Sequence, residues 1–194
     1  MEEWHDHDEE PEREQILREL EEALEDARER QNPDDEAKVL IDLGFFYEDQ
    51  ASYETAAEHL ETGLKHLRKT GQYFQALPAL FQLAKICRIF KNHERAFSLY
   101  TEAVDYAEKI SDARALGVAL AAKGQILIEQ KSERNGLEMI FRAYQFLLEV
   151  KTSDRTDVLE LVRHLKRKIP RERFELALSQ SSVTPKVKDF LKSV

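Results

Sequence analysis

Small residues recur along this chain at a step of forty. Gly44, Ala84 and Gly124 fall in register, as do Ala56, Ala96 and Gly136, and then Gly63, Ala103 and Ala143. Bulky residues keep the same step, with Leu60, Tyr100 and Ile140 in one set and Leu64, Val104 and Tyr144 in another. Small side chains let two helices approach closely, so the pattern describes a helix pair copied along the sequence. One such pair cannot bury its apolar face alone; stacked copies form a continuous core and leave an extended surface for another molecule. The expectation is a binding protein whose partner the pattern does not name.

Composition agrees with an all-α chain. Charged residues make up 35% and apolar ones 42%, with only six Gly and five Pro, a balance that suits long helices and leaves little for tight turns. Repeats that share interfaces act as one body, so a single domain is expected. The lone Cys87 has no partner for an internal disulfide, and no apolar segment follows a basic start, so secretion has no support and a cytoplasmic location is expected. No apolar run approaches the roughly 20 residues of a membrane span.

The net charge is −9, unevenly spread. Residues 1–36 carry 17 acidic against 4 basic side chains, residues 37–150 carry 15 against 14, and residues 151–194 carry 6 against 11. Two solvated ends account for this, and so does weak, salt-sensitive head-to-tail self-association. Nucleic-acid binding is not expected, because the basic segment is short and lacks interleaved aromatics.

Residues 1–10 read as a disordered acidic tail and 11–31 as a helix, with Pro11 at its start and Ile16, Leu20, Ala23, Leu24 and Ala27 on one face. The register carried backwards makes this helix the second of a pair whose first is missing. The proline after Asn32 breaks it there. Full repeats are expected over 37–76, 77–116 and 117–150. Ser52, Asn92 and Ser132, forty residues apart, are the expected N-caps of the second helices. First helices are expected near 35–49, 73–90 and 112–130, and second helices near 53–70, 93–109 and 133–150. The small-residue register fails at His164, so 154–180 is expected to cap the stack, helix ending near Pro170. Residues 181–194 read as a linker and an amphipathic tail bearing Val187, Phe190, Leu191 and Val194.

The set Leu43-Gly44, Tyr47, Ala56, Leu60, Gly63 resembles the tetratricopeptide repeat pattern, as does Leu83-Ala84, Cys87, Ala96, Tyr100, Ala103. Lys123-Gly124, Leu127, Gly136, Ile140, Ala143 gives a weaker third copy. Forty residues exceeds the standard repeat and is similar to the longer form in kinesin light chains, Pins-type polarity adaptors and Rap-type peptide sensors. The usual turn glycine is replaced by Ala51, Lys91 and Lys131.

What the resemblance implies is a right-handed superhelical solenoid of antiparallel helix pairs with terminal capping helices, its first helices lining a concave groove that holds a peptide or a partner's helix. Carried over by position, the groove residues are Lys38, Ile41, Phe45, Glu48 and Asp49, then Phe81, Gln82, Lys85, Arg88 and Ile89, then Val118, Ala121, Ala122, Gln125, Ile128 and Glu129. Phe45, Phe81 and Ile89 are the expected apolar anchors, with Lys85 and Arg88 as orienting charges. The family's carboxylate clamp for chaperone tails is not matched, because its positions hold Ile41, Phe45, Pro78, Gln82 and Ala122.

No acid, base and nucleophile converge in the sequence, so the chain is expected to be non-catalytic. No cofactor or metal is expected. His5, Asp6 and His7 make at most a weak cation trap; Trp4, amid acidic residues, is either inert or an anchor for recognition. Three functions stand: a non-catalytic adaptor for a protein or peptide, a subunit that self-assembles through its ends, and a sensor whose C-terminal tail fills its own groove.

Overall fold

In the computed structural model the described residues are 9–150 and 152–194. They form ten helices and no strand: α1 (Glu9–Glu29), α2 (Pro33–Asp49), α3 (Tyr53–Thr70), α4 (Tyr73–Ile89), α5 (His93–Ile110), α6 (Ala113–Glu129), α7 (Glu133–Leu148), α8 (Asp154–Lys168), α9 (Arg171–Gln180) and α10 (Pro185–Ser193). None of these is long and apolar enough to cross a membrane. The acidic tail expected at residues 1–10, with Trp4, His5 and His7, lies outside the described residues except that Glu9 and Glu10 already belong to α1.

The forty-residue unit is two halves of equal length. Gln31, Ala51, Gly71, Lys91, Ser111 and Lys131 all have positive φ, between 52° and 68°, and each stands at the turn between two helices. The residue after each one donates its N–H to the carbonyl five positions back: Asn32 to Ala27, Ser52 to Tyr47, Gln72 to Leu67, Asn92 to Cys87, Asp112 to Ala107 and Ser132 to Leu127. This left-handed C-terminal closure satisfies carbonyls that the helix end leaves open. Only one of the six positions holds glycine, the residue that takes this conformation without strain.

Helix starts differ from the expectation in one respect. The Asn92 side chain accepts from the Arg95 N–H, whereas Ser52 and Ser132 make no such bond. The backbone is nearly the same, φ/ψ of −83°/71° at Asn92 against −82°/64° at Ser52, so the difference lies in the side chains and not in the backbone. The Ser132 hydroxyl instead receives the Asn135 amide at 3.3 Å. Asn32 and Asp112 cap α2 and α6.

The contacts fall into two compact units, one up to Ile86 and one from Cys87, with the boundary inside α4. In the first, α2 lies against α3, with Gly44 under the Leu60 side chain and Gly63 beside the Ala37 carbonyl. α1 packs on α2 through Leu24, Leu40 and Leu43, flanked by Leu17, Leu20, Val39 and Tyr47. Each large aliphatic side chain withdrawn from water contributes about 1.5 to 3 kcal/mol before ordering costs.

In the second unit α5 packs on α6 and α6 on α7, then α8 packs on α6 and α7, and α9 on α7 and α8. The forty-step order of pairing therefore continues past Lys151. Phe174 of α9 meets Phe141 of α7 edge to face at 5.4 Å. The register of small residues does stop, since His164 is exposed and α8 ends at an extended Ile169 before Pro170. Residues 181–194, expected as linker and tail, are held on this unit. Ser182 bonds Glu138 and Thr184 bonds Gln145, both on α7; the Lys166 ammonium of α8 donates to the Lys192 carbonyl. Phe190 stacks on Tyr144 at 5.6 Å, and Val183, Val187 and Leu191 are buried. The tail's apolar side chains are thus already packed within this unit.

Candidate functional site

The first helices carry charges that reach the next first helix. In the first unit, Lys85 of α4 donates to Glu48 Oε1 of α2 at 2.8 Å. That bond holds the Glu48 carboxyl below the usual carboxylate range and raises the Lys85 ammonium, and the Gln82 amide adds a further bond to Glu48. In the second unit, Arg88 donates from Nη1 to Gln125 Oε1 at 3.1 Å and from Nη2 to Glu129 Oε1 at 3.0 Å. The other Glu129 oxygen lies 3.4 Å from His93 Nδ1. Arg114 of α6 donates from Nε to Asp154 Oδ2 of α8 at 2.6 Å. Burial pushes Asp154 up, but the Thr152 hydroxyl and the Arg114 guanidinium outweigh it and hold the carboxyl low.

Between α6 and α8 lies a cavity of about 220 Å³. Val118, Ala121 and Ala122 of α6 and Val158 and Leu161 of α8 form its apolar lining, with Gln125 beside them. Arg88 stands among the lining groups as the cation and Asp154 and Asp157 as the anions. Short side chains at Ala121 and Ala122 open the space. The arrangement places an apolar floor between groups of both charge signs.

The predicted site residues divide by where their side chains go. Val118 and Gln125 line the cavity with Arg88, while Lys85 and Gln82 meet at Glu48. Phe45 and Phe81 are half-buried in the first unit, and Ile89 is 45% exposed. Lys38 is exposed and bonds Asp35 on its own helix at 3.2 Å.

Two positions depart from the expectation. Ile41 is only 7% exposed, with its Cγ1 3.0 Å from where a Cβ on Gly63 would stand, so it fills the α2–α3 contact. Ile128 likewise presents Cγ1 to Gly136 of α7. Both lie beside a glycine that leaves room for a neighbour's side chain, which draws them inward. The residues that position-by-position transfer missed are Asp154, Asp157, Val158 and Leu161. The signal was present, because Val158 and Leu161 follow Val118 and Ala121 by forty.

The tetratricopeptide repeat family matches residues 35–109. No curated protein matches the sequence. Among solved structures, BtubC (BKLC) from P. vanneervenii is similar at a TM-score of 0.75 and 18% identity, over 96% of this chain and 75% of that one. The apo form of RapI is similar at a TM-score of 0.66 and 14% identity, over 81% of this chain and 56% of that one. Identities this low speak to the fold alone. With helix pairs, turns and register all agreeing, the chain is an all-α protein of repeated helix pairs, and its residues 35–109 carry the tetratricopeptide repeat signature.

Proposed function

We propose that the chain is a non-catalytic adaptor that holds a helical or extended peptide of a partner protein against its first helices. The cavity between α6 and α8 carries this reading: an apolar floor with Arg88 and two aspartates at its margin. A peptide helix presents side chains three and four positions apart on one face, so an apolar anchor can enter the cavity while an acidic neighbour meets Arg88 and a basic one meets Asp157. Ile89, exposed in the same unit, is a further apolar anchor, and within the first unit the half-buried Phe45 and Phe81 are candidates of the same kind. Anchors of this kind contribute most of the affinity, and the charges chiefly fix orientation.

Selection from a displayed library of random helical peptides tests the reading. Recovered sequences should carry a large apolar residue flanked by one acidic and one basic position. They should lose affinity for a Val118→Glu, Leu161→Glu variant whose circular dichroism matches wild type. Peptides that bind both proteins equally, or no selection at all, would sink it.

A further inference from the structure

A second apolar cleft lies between α7 and α9. It encloses about 140 Å³ and is lined by Leu137, Leu176, Ala177, Glu133, Arg134 and Arg173. Leu176, 56% exposed, stands at its mouth. An apolar cavity of roughly 150 Å³ takes one benzene-sized ring, so the cleft admits one ring of an indole and leaves the other at its mouth beside Leu176. Its rim is basic on balance: Arg173 reaches Glu133 at a long 3.5 Å, and Arg134 adds a second guanidinium.

The chain itself contains a segment with matching chemistry. Residues 1–10 hold the single tryptophan, Trp4, among six acidic residues and no lysine or arginine. We propose that the α7–α9 cleft receives this segment from a second copy of the chain, with Trp4 seated on Leu137 and Leu176 and its acidic neighbours meeting Arg134 and Arg173. Tryptophan and arginine are the residues that most often dominate such contacts. Four residues lie between Trp4 and Glu9, where α1 begins, a tether of five Cα steps or at most roughly 18 Å. The acidic start of one copy's α1 is thereby brought to the basic C-terminal region of the next. Such a contact joins two different surfaces of the chain, so copies either exchange segments reciprocally in a closed pair or add head to tail, and the mass by sedimentation distinguishes the two.

Trp4 is also the reporter, since no other tryptophan emits. In the full-length chain its emission should be solvent-like when dilute and shift to shorter wavelength as concentration rises, in step with an increase in mass by sedimentation. Both changes should reverse in moderate salt. Leu176→Glu, at an exposed position that tolerates a carboxylate, and Arg134→Glu should each keep the emission solvent-like and the mass monomeric. Trp4→Ala should stay monomeric throughout. A blue shift independent of concentration would place the tryptophan within one copy and overturn the proposal. So would a shift that survives in Leu176→Glu, association that survives in Trp4→Ala, or emission that stays solvent-like at every concentration.

Discussion

Gly124 and Gly136 face each other backbone to backbone. A Cβ on Gly136 would stand 2.6 Å from the Gly124 carbonyl oxygen, and a Cβ on Gly124 would stand 2.7 Å from that of Gly136. Neither obstacle is the free end of a side chain, so the two helices must separate to admit a methyl group. Overpacking of this kind costs about 1 to 3 kcal/mol and occasionally more. Gly136→Ala should therefore lower the thermal midpoint by roughly 2 to 4 °C per kcal/mol lost. Calorimetry on Gly136→Ala and Gly124→Ala checks this; unchanged midpoints would show that α6 and α7 are not so close.

The turns make the opposite prediction. Ala51, Lys91 and Lys131 hold φ of 56°, 58° and 65° with a side chain attached. A left-handed residue with a Cβ costs roughly 1 to 2 kcal/mol, partly offset by the extra freedom glycine gives the unfolded chain. Each change to glycine should raise stability by about 0.5 kcal/mol, and the three should add because the turns are far apart in sequence and share no hydrogen-bond partner. Gly71→Ala is the converse: a Cβ there meets only the Tyr73 ring at 3.8 Å, so its loss reports backbone strain alone. Urea midpoints of the four variants supply the test.

These turns also show why the fold was legible and the site only partly so. Helix pairs are written in residue size, which repeats, and Gly44, Gly124 and their partners place α2, α3, α6 and α7 within a few residues. Side-chain direction is not written that way. Ile41 and Phe45 are one helical turn apart and equally apolar, yet only Ile41 meets Gly63. Which one turns inward depends on the glycine of the neighbouring helix rather than on its own identity. The aspartates of α8 escaped for a different reason: His164 breaks the small-residue register, which hid that Val158 and Leu161 still keep it.

Lys123 occupies a position that the earlier repeats fill with Leu43 and Leu83. It is 7% exposed, with Nζ 4.8 Å above the Phe97 ring, and burial lowers its ammonium from the ordinary value despite Asp105 and Glu108. The ring offsets part of the cost of a buried charge, about 0.5 to 2 kcal/mol. Lys123→Met keeps the length of the chain and removes the charge, and should raise stability at neutral pH by about 1 kcal/mol. Because the folded lysine releases its proton more readily than the unfolded one, wild-type stability rises with pH as the value approaches about 10.4. The advantage of the variant should therefore shrink in alkaline urea titrations. An advantage that is absent or constant with pH would contradict the buried charge.

His59 predicts the behaviour on the acid side. Its ring stacks on Tyr47 at 5.4 Å with planes 2° apart, and burial lowers its pKa, with Arg28 adding to the effect against the opposing charge of Glu58. The unfolded chain therefore takes up a proton at a pH where the folded chain still holds a neutral ring. Its contribution is complete above the unfolded value of about 6.5 and is lost as pH falls through the lower folded value. Asp34, held low chiefly by its bond to His66, and Glu48, held low by Lys85, lose their contributions only in the more acidic carboxylate range. The first decline below neutrality is thus assigned to His59. His59→Phe preserves a flat ring against Tyr47 and has no proton to gain. Urea midpoints at about pH 7.5 and about pH 5 should fall for wild type and fall less for His59→Phe. Equal declines in the two proteins would move the effect to another histidine.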